Sequence, residues 1–156
     1  MTDINDRLYK IRKPLEILNN TFQSVLTASR ILVIDEFMIP FRVRIQFRQY
    51  TNNKSHKYGV KLYKICTVDG YISKVLVYTG KNEKVSGQGQ SEKVVYELLK
   101  AVEHKEGHHL FADNFYSSLP LGRKFFEEKV VYCSTLRSNR RCIKEKGRCT
   151  VSRMIV

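Results

Sequence analysis

Residues 31–36 read Ile31-Leu32-Val33-Ile34-Asp35-Glu36: four apolar residues, three of them β-branched, run without alternation into an acid. That is the pattern of a short strand covered on both faces. A carboxylate directly after such a run is costly to bury unless it is paired or metal-bound, which singles out Asp35. If the strand continues, Glu36 points to the opposite face and is secondary.

Toward the N-terminus, Leu8, Ile11, Leu15, Leu18, Phe22 and Val25 or Leu26 recur at three- and four-residue steps, which predicts a helical lead-in over residues 1–30. Pro14 predicts a break near Lys13, with the proline in a first turn. Toward the C-terminus, Val60 to Val68 and Tyr71 to Tyr78 are strand-like and flank Asp69-Gly70, which predicts an antiparallel hairpin with a type I′ turn. Ser86 to Gln90 reads as a linker, and Val94, Val95, Leu98, Leu99 and Val102 form a helical stripe. A short strand, Leu110-Phe111-Ala112, then ends at Asp113. A further helix begins around Ser118 to Pro120, which supply a capping hydroxyl and a first-turn proline, and runs to about Glu128. Val130 to Leu136 is the next strand, and the basic stretch that follows shows no clear closing element.

The order β, ββ hairpin, α, β, α, β predicts an α/β fold: an RNase H-like mixed sheet with flanking helices, truncated at the C-terminus. The domain would occupy residues 31–141, with 142–156 as a basic truncated tail. If the strands ending at Asp35 and Asp113 are parallel neighbours, their backbones lie roughly 4.8 Å apart and the two carboxylates meet at one end of the sheet. Carboxylates so placed can flank two divalent ions about 3.5 to 4 Å apart, the clamp used for phosphodiester cleavage and transfer. Mg²⁺ suits hard oxygen ligands of this kind. For either aspartate taken alone, a solvated strand end or helix cap is the plainer reading.

The chain carries 28 Lys and Arg against 15 Asp and Glu, a formal charge of +13, which attracts a polyanion. DNA is the expected partner. The basic residues do not gather on one amphipathic helix, which argues against a membrane surface. Between Glu36 and Asp69 there is no acid, while Arg42, Arg44, Arg48, Lys54, Lys57, Lys61 and Lys64 alternate with Phe41, Phe47, Tyr50 and Tyr58. That strip suits phosphate contacts more than base reading, with a solvated basic face as the plain alternative. Arg137 and Arg140 open a second basic run, which also suits a nuclear address. There is no secretory signal and no apolar run long enough to cross a bilayer, so an intracellular, nuclear protein is expected. Cys66, Cys133, Cys142 and Cys149 form no C-x-x-C pair and are read as reduced thiols without a metal. His108 and His109 precede the strand to Asp113, where packing is a plainer role than proton shuttling.

Ile34-Asp35-Glu36 with Phe41-Arg42, Gln49-Tyr50, Asn53-Lys54 and Lys57-Tyr58-Gly59-Val60-Lys61 resembles the first catalytic block of piggyBac-type transposases. Asp113-Asn114-Phe115-Tyr116-Ser117-Ser118-Leu119-Pro120-Leu121 is similar to the second block, and Thr135-Leu136-Arg137-Ser138-Asn139-Arg140 to a third. The likeness departs at Thr51 to Ser55, which lacks the usual prolines, and at Ser134, which stands for a glycine. The resemblance implies an acidic DDE/D metal triad acting on TTAA-flanked ends, in which water frees a 3′-hydroxyl that then forms a hairpin before joining to target DNA. Asp35 and Asp113 match the first two metal ligands. The third is expected beyond residue 156, so the chain alone is expected to be inactive. A homodimer or a full-length transposase is the implied protein partner. Two other readings stay open: a domesticated DNA- or protein-binding module without catalysis, and a decayed gene product whose sheet exposes an unpaired edge.

Overall fold

The structure is a computed structural model that describes residues 6–52, 56–80, 89–102 and 106–135, with the backbone alone of 153–155. Asp6 accepts the Leu8 amide at 2.9 Å and holds the Arg12 guanidinium, closing a turn ahead of α1 (Arg12–Val25). The arginine holds the Asp6 carboxyl down at about 2. Pro14 falls in the first turn of α1, as expected, because its missing N–H has no intrahelical partner to lose there.

The strands are β1 (Ile31–Pro40), β2 (Gln49–Tyr50), β3 (Tyr58–Thr67), β4 (Ile72–Val77), β5 (His109–Ala112), β6 (Val131–Thr135) and β7 (Arg153–Ile155). Helix α2 (Gln90–Leu99) lies between β4 and β5, and α3 (Leu119–Glu127) between β5 and β6. They form one seven-stranded sheet in the order β2-β3-β1-β5-β6-β7, with β4 also on β3. The hairpin partners are antiparallel, whereas β1, β5 and β6 run parallel. This is the RNase H-like mixed sheet that the element order predicts.

The core lies between one face of the sheet and α2 with α3. Leu32 and Ile34 of β1, Tyr63 and Ile65 of β3, Leu110 of β5 and Tyr132 of β6 meet the stripe Val94, Val95, Leu98, Leu99 and Val102, together with Leu121 and Phe125 of α3. Both helix starts are set locally. Gly89 takes the left-handed conformation ahead of α2, at φ 75°. Ser118 caps α3 by accepting the Leu121 amide at 3.2 Å, and its hydroxyl donates a hydrogen bond to Glu92 at 2.6 Å.

Four expectations are corrected. β1 is not covered on both faces: Leu32 and Ile34 are buried, but Ile31 and Val33 are not. It also runs five residues past Asp35, because β3 pairs with it as far as Pro40. The hairpin turn is not type I′, which needs positive φ at both central residues: only Gly70 has it, and three residues connect Thr67 to Tyr71. The C-terminal stretch does have a closing element, since β7 pairs antiparallel with β6 and covers its outer edge.

Helix α1 differs in how it packs. Leu15 and Phe22 are half-buried, while Ile11, Leu18 and Val25 of the same stripe are exposed. Its anchor is polar. The Asn19 amide accepts the Val75 N–H at 2.8 Å and donates to the Val75 carbonyl at 3.1 Å, standing in for a second neighbouring strand, which β4 lacks among the described residues. Tyr71 adds a hydroxyl bond to the Phe22 carbonyl at 2.7 Å. Replacing Asn19 with Ala removes two hydrogen bonds from this edge and is expected to cost about 1 to 2 kcal/mol in urea unfolding, while the exposed Leu18→Ala changes little.

Candidate carboxylate site

Asp35 and Asp113 come together because β1 and β5 are parallel and in register. Ile31 faces His109, Leu32 faces Leu110, Val33 faces Phe111 and Ile34 faces Ala112, so the next residue on each strand is an aspartate. Residue parity puts both carboxylates on the face away from α2 and α3. They line a cleft of about 300 Å³ with Val33, Phe111, Cys133 and Thr135. Thr135 enters because β6 continues the same alignment, Ala112 facing Ser134. The sequence reading missed this cleft wall, although β6 ending level with Asp113 was its signal.

Neither carboxylate is buried; the Asp35 side chain keeps 53% of its surface. The cost of burying a charge is therefore not what marks these residues. Their shared register is. Lys64, directly opposite Asp35 on β3, brings its ammonium to 3.9 Å from the carboxylate. Glu36 points to the other face, as expected, and pairs there with Lys61 at 2.5 Å. Lys61 also lies over Tyr63 and Phe115, at 5.1 and 4.9 Å from the ring centres.

Beneath the site, Tyr116 is fully buried and its hydroxyl has no hydrogen-bond partner among the described residues. Burial, reinforced by Glu36, Tyr63, Asp35 and Asp113, pushes that hydroxyl far up, so it stays protonated. Burial and Glu36 likewise push Tyr63 up to about 12. The Tyr116 amide donates to the Asp113 carbonyl at 3.0 Å, and its carbonyl accepts the Tyr132 hydroxyl at 3.2 Å, which fixes the turn after Asp113 to the core.

The predicted basic strip is divided by the fold. Lys61 is neutralised by Glu36, and Lys64 belongs to the carboxylate site. Arg42, Arg44 and Lys57 are exposed and Arg48 is half-buried, all around the far end of β1 and β3. Lys54, Arg137 and Arg140 lie outside the described residues, as do Cys142 and Cys149. His109 starts β5, at the opposite end from Asp113, and His108 contacts the Ser29 carbonyl at 2.9 Å, so neither meets the carboxylates. Among the described residues no three His, Cys, Asp or Glu are grouped so that they could hold a metal ion, and no helix is long and apolar enough to cross a membrane.

The RNase H-like sheet belongs to a chain of the transposase class. The family model described as Transposase IS4 matches residues 2–146, and the chain belongs to that family, as a piggyBac-type member. It is 27% identical over 120 residues to the human PiggyBac transposable element-derived protein 3, and equally to the human Chimeric ERCC6-PGBD3 protein; each match takes in 74% of this chain. Those matches cover 20% and 11% of the two relatives. A piggyBac transposase solved by cryo-EM as a synaptic complex with hairpin DNA superimposes with a TM-score of 0.83 at 32% identity, over 91% of this chain and 30% of that one.

The position of Lys64 yields a differential expectation. A divalent ion placed between Asp35 and Asp113 would be repelled by that ammonium, so if these carboxylates take Mn²⁺, Lys64→Met should tighten its binding about three- to tenfold. Lys61→Met, on the opposite face, should leave it unchanged. Titration calorimetry with Mn²⁺ separates the two variants.

Proposed function

We propose that this chain is the part of a cut-and-paste transposase core that carries its first two metal-binding aspartates, Asp35 and Asp113, and that it acts on DNA in the nucleus. The observation that carries the reading is the in-register end of β1 and β5, which puts the two carboxylates side by side on one face of the sheet. Two exposed hard-oxygen donors fit a share of a Mg²⁺ site, and the family uses divalent metal in general. Bound there, the metal would supply charge neutralisation at a phosphodiester. The protein's own part is to hold both carboxylates level, with Lys64 beside Asp35 to meet a phosphate oxygen and Arg42, Arg44, Arg48 and Lys57 to hold the backbone beyond. TTAA-flanked ends are the substrate that the piggyBac likeness suggests, and a second copy or a full-length transposase is the partner.

Among the described residues no third carboxylate joins the pair, and two hold a metal pair poorly; the 156-residue polypeptide on its own is expected to bind DNA weakly and to transfer no strand. Incubation with a labelled TTAA-flanked end and Mg²⁺ or Mn²⁺ checks this: no cleavage is expected. Cleavage that disappears in both Asp35→Asn and Asp113→Asn would overturn the inactivity and leave the site assignment standing.

A second reading, a binding module descended from such an enzyme, is favoured by Lys64, whose ammonium already offsets the Asp35 charge without a metal. DNA binding that falls with salt and is unchanged in the Asp35→Asn, Asp113→Asn double variant supports it.

A further inference from the structure

We infer that Arg48, Tyr58 and Tyr50 form a binding site for an unpaired DNA strand, with bases stacking on the tyrosines and phosphates on the neighbouring arginines. The inference rests on the DNA-binding reading above and adds to it a strand state and a place.

Tyr50 of β2 and Tyr58 of β3 are direct cross-strand partners, with ring centres 5.0 Å apart. Their pairing leaves 55% and 50% of each residue exposed. The Arg48 guanidinium lies 4.8 Å above the Tyr58 ring and is steadied by a 2.8 Å bond from Nη1 to the Arg42 carbonyl. The rest of that fork is free for a phosphate. No acid stands between Glu36 and Asp69, and among the described residues Arg42, Arg44, Arg48 and Lys57 form no ion pair. Exposed rings beside unpaired cations suit a polyanion that also offers flat apolar faces. An unpaired nucleic-acid strand does so, whereas a duplex keeps its base faces inside its own stack.

Tyr58 and Lys64 are six residues apart on β3, and Lys64 faces Asp35, so the tyrosine pair projects from the same sheet face as the carboxylates. The separation along the strand is about 20 Å. A strand displaced from a duplex end at the carboxylates would reach Tyr58 within about six nucleotides. The sheet face that carries the carboxylates at one end would thus receive the unpaired strand at the other.

The test uses the 156-residue chain with a single strand of about twelve nucleotides containing 2-aminopurine, and the matching duplex as a second probe. The expected result is quenching of the aminopurine emission on binding. Tyr58→Leu and Tyr50→Leu should each weaken single-strand binding about tenfold without changing the dependence on salt, while Tyr58→Phe, which keeps a ring, binds normally. Arg48→Ala should lower the slope of log affinity against log salt by about 0.7. Leucine variants that unfold cooperatively and still bind the single strand as the parent does would overturn the inference while duplex binding stands. If the parent binds neither probe at low salt, the DNA-binding reading itself falls.

Discussion

The parallel pairing of β1 with β5 is the constraint on which the molecule depends. It aligns Leu32 with Leu110 under α2 and α3, and three residues further along the same alignment ends in Asp35 and Asp113. Core and site are consequences of one register. Parallel strands need a long crossover, and here the β3–β4 hairpin and α2 supply it before the chain returns as β5. The helix that brings the chain back also fills the core against which the register is locked.

Much of this was legible in the sequence. The apolar run into Asp35, the stripe from Val94 to Val102 and the Ser118-Leu119-Pro120 helix start are local signals, and each is realised where it stands. What was not legible depends on partners distant in the chain. The extension of β1 to Pro40 needs β3 as its template. The exposed side of the sheet at Val33 and Phe111 cannot be read from a run of apolar residues, which looks the same whether one face or two is covered. Strand β7 was hidden in a basic, turn-rich stretch because its pairing with β6, not its own composition, makes it a strand.

The site shows the same division. The two aspartates were legible as residue types after apolar runs, and the role proposed for them comes from the family resemblance. The partition of the lysines was not, because period-two alternation sends Lys61 and Lys64 to opposite faces: one lysine is taken up by Glu36, and the other stands beside Asp35. A count of positive charges along the chain merges what the pleat separates.

That alternation also bears on how the site is kept correct. Asp35 and Glu36 are adjacent acids, so a slip of β1 by one position would still present a carboxylate to the cleft and another to the lysines opposite. Charge alone would barely register the error. What forbids it is the greasy side of the strand: the slip would carry Leu32 and Ile34 out of the core and push Asp35 into it. The fidelity of a polar, solvent-exposed site is thus guarded by two aliphatic side chains buried in the core on the other face of the strand.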